Sequence, residues 1–238
     1  MWLWILATLC AFFIKGLCGF ANTLVFTSIL GFGVNNVIIS PVEVLIGYPT
    51  NFVLTWKHRK DLKPKICIPL MVLVLAGSLP GAILLKNIDA HIIKIIFGVV
   101  VILIGSEMLA TEYNLIHPKK SKVVLLIVGL LSGALCGLFG VGALLAAYVN
   151  RTTENASEFK ANLSIVFCVE NTFRIVLYTI LGVINLEALK MTALMIPFMA
   201  VALWAGMKSA EILDEKKVKK LAIVLLIISG FALIAKSF

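Results

Sequence analysis

VGLLSGALCGLFGVGALLAAYV, residues 128–149, is the stretch whose reading decides the fold. It is too apolar for a solvated loop, yet five glycines between Gly129 and Gly142 are too many for a plain membrane helix. Glycine opens backbone conformations with positive φ and lets another group come close to the main chain. A quieter copy opens the chain at residues 14–25, IKGLCGFANTLV. Gly137 follows Gly16, and Gly140 follows Gly19, by the same 121 residues.

The rest of the composition sets the environment of this pair. Hydrophobic residues make up 61% of the chain and charged residues only 14%, with a mean hydropathy of +1.07. A soluble domain needs far more polar surface, so the expectation is a polytopic protein of the cell membrane with the lipid bilayer as its solvent. A hydrocarbon core about 30 Å thick takes roughly 20 residues per helix, which leaves room for about eight segments and no separate extramembrane domain. The first residues lack a basic leader and a small-residue cleavage site, so they read as mature structure. The formal charge of +9 would suggest nucleic acid in a soluble protein. Here the lysines and arginines cluster between apolar runs, so they read as topology signals and no nucleic-acid partner is expected. The five cysteines form no C-x-x-C pair and no histidine cluster accompanies them, so neither a metal nor a cofactor is expected.

Apolar runs fall at about 1–33, 37–56, 66–86, 91–112, 121–149, 160–183, 188–212 and 218–236. The first and fifth, near 30 residues each, are awkward for one helix and suit two half-helices with a break. Past the glycine motifs the similarity continues: Gly81 and Gly105 correspond to Gly206 and Gly230, Asp89 to Asp214 and Lys94 to Lys219, all 125 residues apart. Asn51 falls 120 residues before Asn171. Residues 1–116 and 117–238 thus read as two repeats of four segments. Residues 57–65 hold five basic residues and one acidic, whereas the equivalent 184–190 hold one of each. Lys216, Lys217, Lys219 and Lys220 enrich the loop before the last segment, while its equivalent is sparse. Equivalent loops prefer opposite sides, which marks an inverted repeat. The fold class expected is therefore all-α and integral to the membrane, with two inverted repeats whose first segments are broken or re-entrant. Irregular backbone at membrane depth survives only where protein or a watery cavity satisfies it, so the breaks should line a pathway.

The motifs KGLCGFANTLV at 15–25 and SGALCGLFGVGALL at 132–145 resemble those of the sulfite exporter TauE/SafE family. The half-closing stretches 76–105 and 200–230 strengthen the resemblance, which covers essentially the whole chain. It implies a secondary transporter of a small anion, most readily sulfite, a sulfonate or another organosulfur anion; an anion channel or a permease for small carboxylates is the alternative. The first motif departs from the family pattern, with Ala21 and Asn22 after Gly19 and Phe20 in place of a third glycine.

A broken helix offers the N–H groups and positive dipole end of its second half to an oxyanion. The substrate-binding candidates are accordingly Gly16, Gly19, Gly137, Gly140 and Gly142 at the breaks, with Asn22 and Thr23 as side-chain donors. Close packing through small-xxx-small spacing is the competing reading of the glycines, above all of Gly129 and Gly133. Glu170 and Arg174, four apart near the middle of the sixth segment, share a helix face. A charge at that depth costs roughly 2.5–3.5 kcal/mol on insertion scales, so the two read either as a mutual pair or as a proton-coupling carboxylate, Glu170, beside an anion contact, Arg174. Asn171 and Asn51 add neutral donors. Arg174→Ala is expected to abolish uptake with folding largely intact. Lys15 reads as a snorkelling or paired lysine, and Glu43 as a carboxylate near a segment end. The three histidines fall in loops, which leaves nothing for an intramembrane enzyme; a homodimer is the assembly to test.

Overall fold

The structure, a computed structural model, describes residues 1–30, 33–84, 122–140 and 142–235, with scattered positions between 95 and 113. Every regular element among them is helical. The first long apolar run is two helices, α1 (Trp2–Cys18) and α2 (Asn22–Leu30). Between them Gly19 closes α1 in the left-handed conformation, φ 88°, with its N–H bonded to the Lys15 carbonyl. The fifth run breaks in the same way. Helix α5 (Lys122–Phe139) gives way to α6 (Ala143–Thr152) through Gly140, φ 71°, whose N–H reaches the Cys136 carbonyl at 2.8 Å. The breaks expected from the glycine pattern are there, and the left-handed glycines that make them, Gly19 and Gly140, are the pair at an offset of 121.

In chain order these helices alternate with longer ones: α3 (Asn36–Lys57), a 3-10 turn (Arg59–Asp61), α4 (Pro64–Leu84), α7 (Ala156–Ile180), α8 (Leu186–Ile212) and α9 (Glu215–Ala235). Side-chain caps fix their starts. Asn35 accepts from the N–H of Val37, and Asn155 from that of Glu158, two caps 120 residues apart. Asn185 does the same for α8. Four of the described helices, Val37–Lys57, Pro64–Gly81, Ala156–Ile180 and Leu186–Ile212, are long and apolar enough to cross a membrane. Most of the expected segment at 91–112, with Asp89, Lys94, His91 and His117, lies outside the described residues.

Glycines set how closely the helices approach. α1 lies along α8, α4 along α5, and α3 along α7. A Cβ on Gly16 would run into the Leu203 carbonyl of α8, and one on Gly206 into the Phe13 carbonyl of α1. Gly77 and Gly81 make the equivalent contact with Gly133 and Ala134 of α5. This is the backbone-to-backbone packing that small residues allow, and the first half of the central stretch serves it.

The surface is apolar, and the interior holds charged and polar groups among its apolar core. Trp2, Trp56, Ile180 and Ile212 are exposed, whereas Lys15, Glu43, Asn51, Glu170 and Arg174 are buried. Only a lipid solvent makes that inversion favourable. At one end the 3-10 turn is tied to the start of α7: Ser157 donates to Asp61 at 2.6 Å, its hydroxyl lies 2.8 Å from Nδ1 of His58, and Lys63 pairs with Glu158 at 2.8 Å. Burial and the nearby Lys160 and Lys57 hold the His58 imidazole below its usual range.

Ala21 tests the break most directly. It stands where Gly142 stands in the second copy, and it adopts φ 70°, a region that costs a residue with a Cβ about 1–2 kcal/mol. Ala21→Gly is expected to raise the thermal midpoint in detergent, by up to about 1 kcal/mol once the extra unfolded-chain entropy of glycine is subtracted. A lowered midpoint would mean that the Ala21 methyl packs better than its backbone is strained.

Candidate functional site

Helical spacing puts the polar residues of two helices on facing stripes. Along α3, Glu43, Gly47 and Asn51 recur every four residues; along α7, Phe167, Asn171, Arg174 and Tyr178 recur at four, three and four. These stripes meet at the two breaks. Lys15, Asn22, Thr23, Glu43, Asn51, Gly140, Gly142, Asn171 and Arg174 line one small cavity. It leaves about 20 Å³ for a water's centre, enough for about one water.

Arg174 is the hub. One terminal nitrogen donates to the Cys136 carbonyl at 2.9 Å; the other donates to Oε2 of Glu43 at 3.0 Å and to Oδ1 of Asn171 at 3.3 Å. The Cys136 carbonyl also receives the Gly140 N–H, so the guanidinium caps the negative end of α5 at the point where it breaks. Glu170 sits farther away, its Oε1 3.9 Å from Nε of Arg174. Ser78 of α4 donates to the same Glu170 oxygen at 3.4 Å. The expected Glu170–Arg174 pair exists, but the closer carboxylate is Glu43.

Glu43 corrects the reading that placed it in interfacial water. It is 2% exposed and takes donors from two other helices, α2 and α7. Its Oε1 accepts from Nδ2 of Asn22 at 2.8 Å and from the Thr23 hydroxyl at 2.5 Å, both in the first turn of α2. Lys15 also differs from the snorkelling or paired lysine expected. It is 2% exposed, in the last turn of α1, with no carboxylate within ion-pair distance among the described residues. Asn51 is fully buried with both side-chain polar atoms unpartnered. A buried amide without partners costs about 1–3 kcal/mol, so its place at the cavity wall calls for a polar guest.

The glycines divide into two groups. Gly140 lies against the site: a Cβ there would collide with the Arg174 guanidinium and crowd the Glu43 carboxylate. At Gly142 a Cβ would enter the Phe167 ring. Gly19 turns the first break with the Lys160 side chain packed over it, Gly137 gives its carbonyl to the Tyr178 hydroxyl at 3.1 Å, and neither borders the cavity. Gly16 packs against α8 and borders a second cavity of about 150 Å³ with Lys57, His58, Lys160 and Glu211. Asn22, Thr23, Asn51, Gly140, Gly142, Asn171 and Arg174 of the expected set therefore share one space, with Glu170 one shell behind Arg174. Glu43 and Lys15 are the residues that sequence reasoning undervalued. The four-residue spacing from Glu43 to Asn51 was the available signal for the first.

Lys15 and Arg174 with Glu43 and Glu170 make a network of two cations and two carboxylates that balances at zero when all are ionised. Removing one member of such a network leaves uncompensated charge in a low-dielectric interior, at a cost of about 3–5 kcal/mol. The expectation that Arg174→Ala folds normally is thereby revised. That variant is expected to lose roughly this much stability, seen as a lower thermal midpoint and poor recovery from detergent, with Glu43 and Glu170 both stranded. An undiminished midpoint would show that water reaches the pair.

A family model for the sulfite exporter TauE/SafE family matches residues 4–233. No curated protein and no solved structure matches the chain. The chain belongs to the TauE/SafE family of membrane anion exporters.

Proposed function

We propose that this family member is a multi-pass secondary transporter of the cell membrane that carries a small anion, such as sulfite or a sulfonate, through the cavity between the two helix breaks. One observation carries the reading: both left-handed glycine breaks end at the same small cavity, which also holds Lys15 and Arg174. The first turn of α2 brings amide N–H groups with no intrahelical acceptor, and Gly142 begins α6 at the opposite wall. Helix N-termini and buried cations together suit an oxyanion. Asn51 and Asn171 supply neutral groups that discriminate an oxyanion from a halide by hydrogen bonding. Glu170, behind Arg174, holds the guanidinium in line and is a second carboxylate able to carry a proton.

Alternating access suits the same geometry. Residues 1–116 and 117–238 act as inverted halves. α1 of the first lies on α8 of the second, α5 of the second lies on α4 of the first, and α3 faces α7 across the middle. Each break is thus held by the opposite half, so rocking one half against the other opens the cavity to one side at a time. Room for about one water means that a bound sulfite or sulfonate requires the walls to part. That requirement is what a carrier needs and a channel avoids.

Proteoliposomes holding the chain are expected to take up labelled sulfite, sulfoacetate, taurine or a short carboxylate with saturation, and to show counterflow when preloaded. Flux that rises linearly with concentration and shows no counterflow would replace the carrier with a channel. Gly140→Ala, which forces a Cβ into the guanidinium at a positive φ, is expected to lower uptake at least about tenfold, since one lost tenfold step is only about 1.4 kcal/mol.

A further inference from the structure

The donors best suited to a transported anion are already occupied. Glu43 takes Asn22 and Thr23 on one oxygen and Arg174 on the other, with Gly140 pressed against the second. A carboxylate spanning both breaks in this way has the charge, the planar oxygens and the donor set of a small bound anion. Its backbone lies on α3, so the whole group can leave by a change of side-chain rotamer.

We infer that Glu43 is an internal stand-in for the transported anion, and that it must take up a proton and release Arg174, Asn22 and Thr23 before the anion can use them, so that one monoanion travels with one proton. This rests on the carrier reading above and names its coupling group. The charge balance sets the stoichiometry. With Lys15, Arg174, Glu43 and Glu170 ionised the network sums to zero; a monoanion alone would leave one uncompensated buried negative charge, and one proton on a Glu43 oxygen restores zero. When the anion leaves, the Glu43 proton leaves too, and the carboxylate returns to its three donors. The substrate-free carrier then moves with its charges paired, which suits the return step through a low-dielectric interior.

The groups around Glu43 make it the exchanging member. Lys15 faces it from α1, Cys136 from α5, and Glu170, Arg174 and Tyr178 from α7. α2 has no titratable residue, and residues 191–207 of α8 have none either. Of the two carboxylates, Glu170 touches neither Asn22 nor Thr23, so its protonation would free none of the α2 donors.

The test uses proteoliposomes of the full chain with labelled isethionate, a monoanion whose charge does not change near neutral pH, and sulfite in a parallel arm. A trapped pH dye is expected to record about one proton per isethionate. A gradient of one pH unit is expected to accumulate it about tenfold, the limit for one-to-one electroneutral coupling. Glu43→Gln, which leaves the network one negative charge short, is expected to exchange isethionate more slowly at equal pH and to lose accumulation entirely. Glu43→Asp keeps a titratable group with a shorter reach and is expected to retain the proton count with a displaced pH profile. Exchange of neither anion by the wild type would remove the carrier reading itself. Exchange without protons, accumulation by Glu43→Gln, a wild-type pH profile in Glu43→Asp, or coupling lost in Glu170→Gln while Glu43→Gln keeps it would each overturn the role of Glu43 alone.

Discussion

The guanidinium of Arg174 ties three other helices together. It caps the C-terminal carbonyl of α5 where that helix stops, holds Glu43 of α3, and through Glu43 reaches the first turn of α2. An arginine suits this place because its planar, always-charged fork donates in several directions at once. Gly140 is the counterpart constraint, since any side chain there would occupy the guanidinium's space. The break in α5 and the charge beside it therefore belong to one solution.

Burying four ionisable groups in a lipid-solvated protein is expensive, and the fold limits the expense by balancing them and surrounding them with donors. The same economy leaves the site poised. Asn51 has no partner, Lys15 has no carboxylate at ion-pair distance among the described residues, and the space between them admits about one water. Such a centre is stable while its charges cancel and responds strongly to one added anion or proton. Rigid support comes from elsewhere: backbone contacts at Gly16 and Gly206 and at Gly77, Gly81 and Gly133 clamp each broken helix to a long one, away from the cavity.

Much of this was legible in the chain itself. Glycines 121 residues apart announced two breaks, and both appear as left-handed turns at Gly19 and Gly140. The placement of Glu170, Asn171 and Arg174 at mid-segment announced a buried polar face. What stayed hidden was the partner of each group. Glu43 looked interfacial because its distance from the start of α3 says nothing about α2 and α7 folding over it. Gly16 looked like a site residue because the motif places it beside Gly19; in three dimensions it faces α8.

The sequence by itself determined the solvent, the helical class, the positions of the breaks and the family motifs, because hydropathy, glycine spacing and charge clusters act along the chain at short range. Only the tertiary structure decided which residues share the cavity, because that depends on which faces of α3 and α7 meet and on how closely glycines let the helices approach. It gave Arg174 to Glu43 ahead of its neighbour Glu170, 3.0 Å against 3.9 Å, since a residue four positions along one helix is limited by helix geometry while a residue on a facing helix can be aimed.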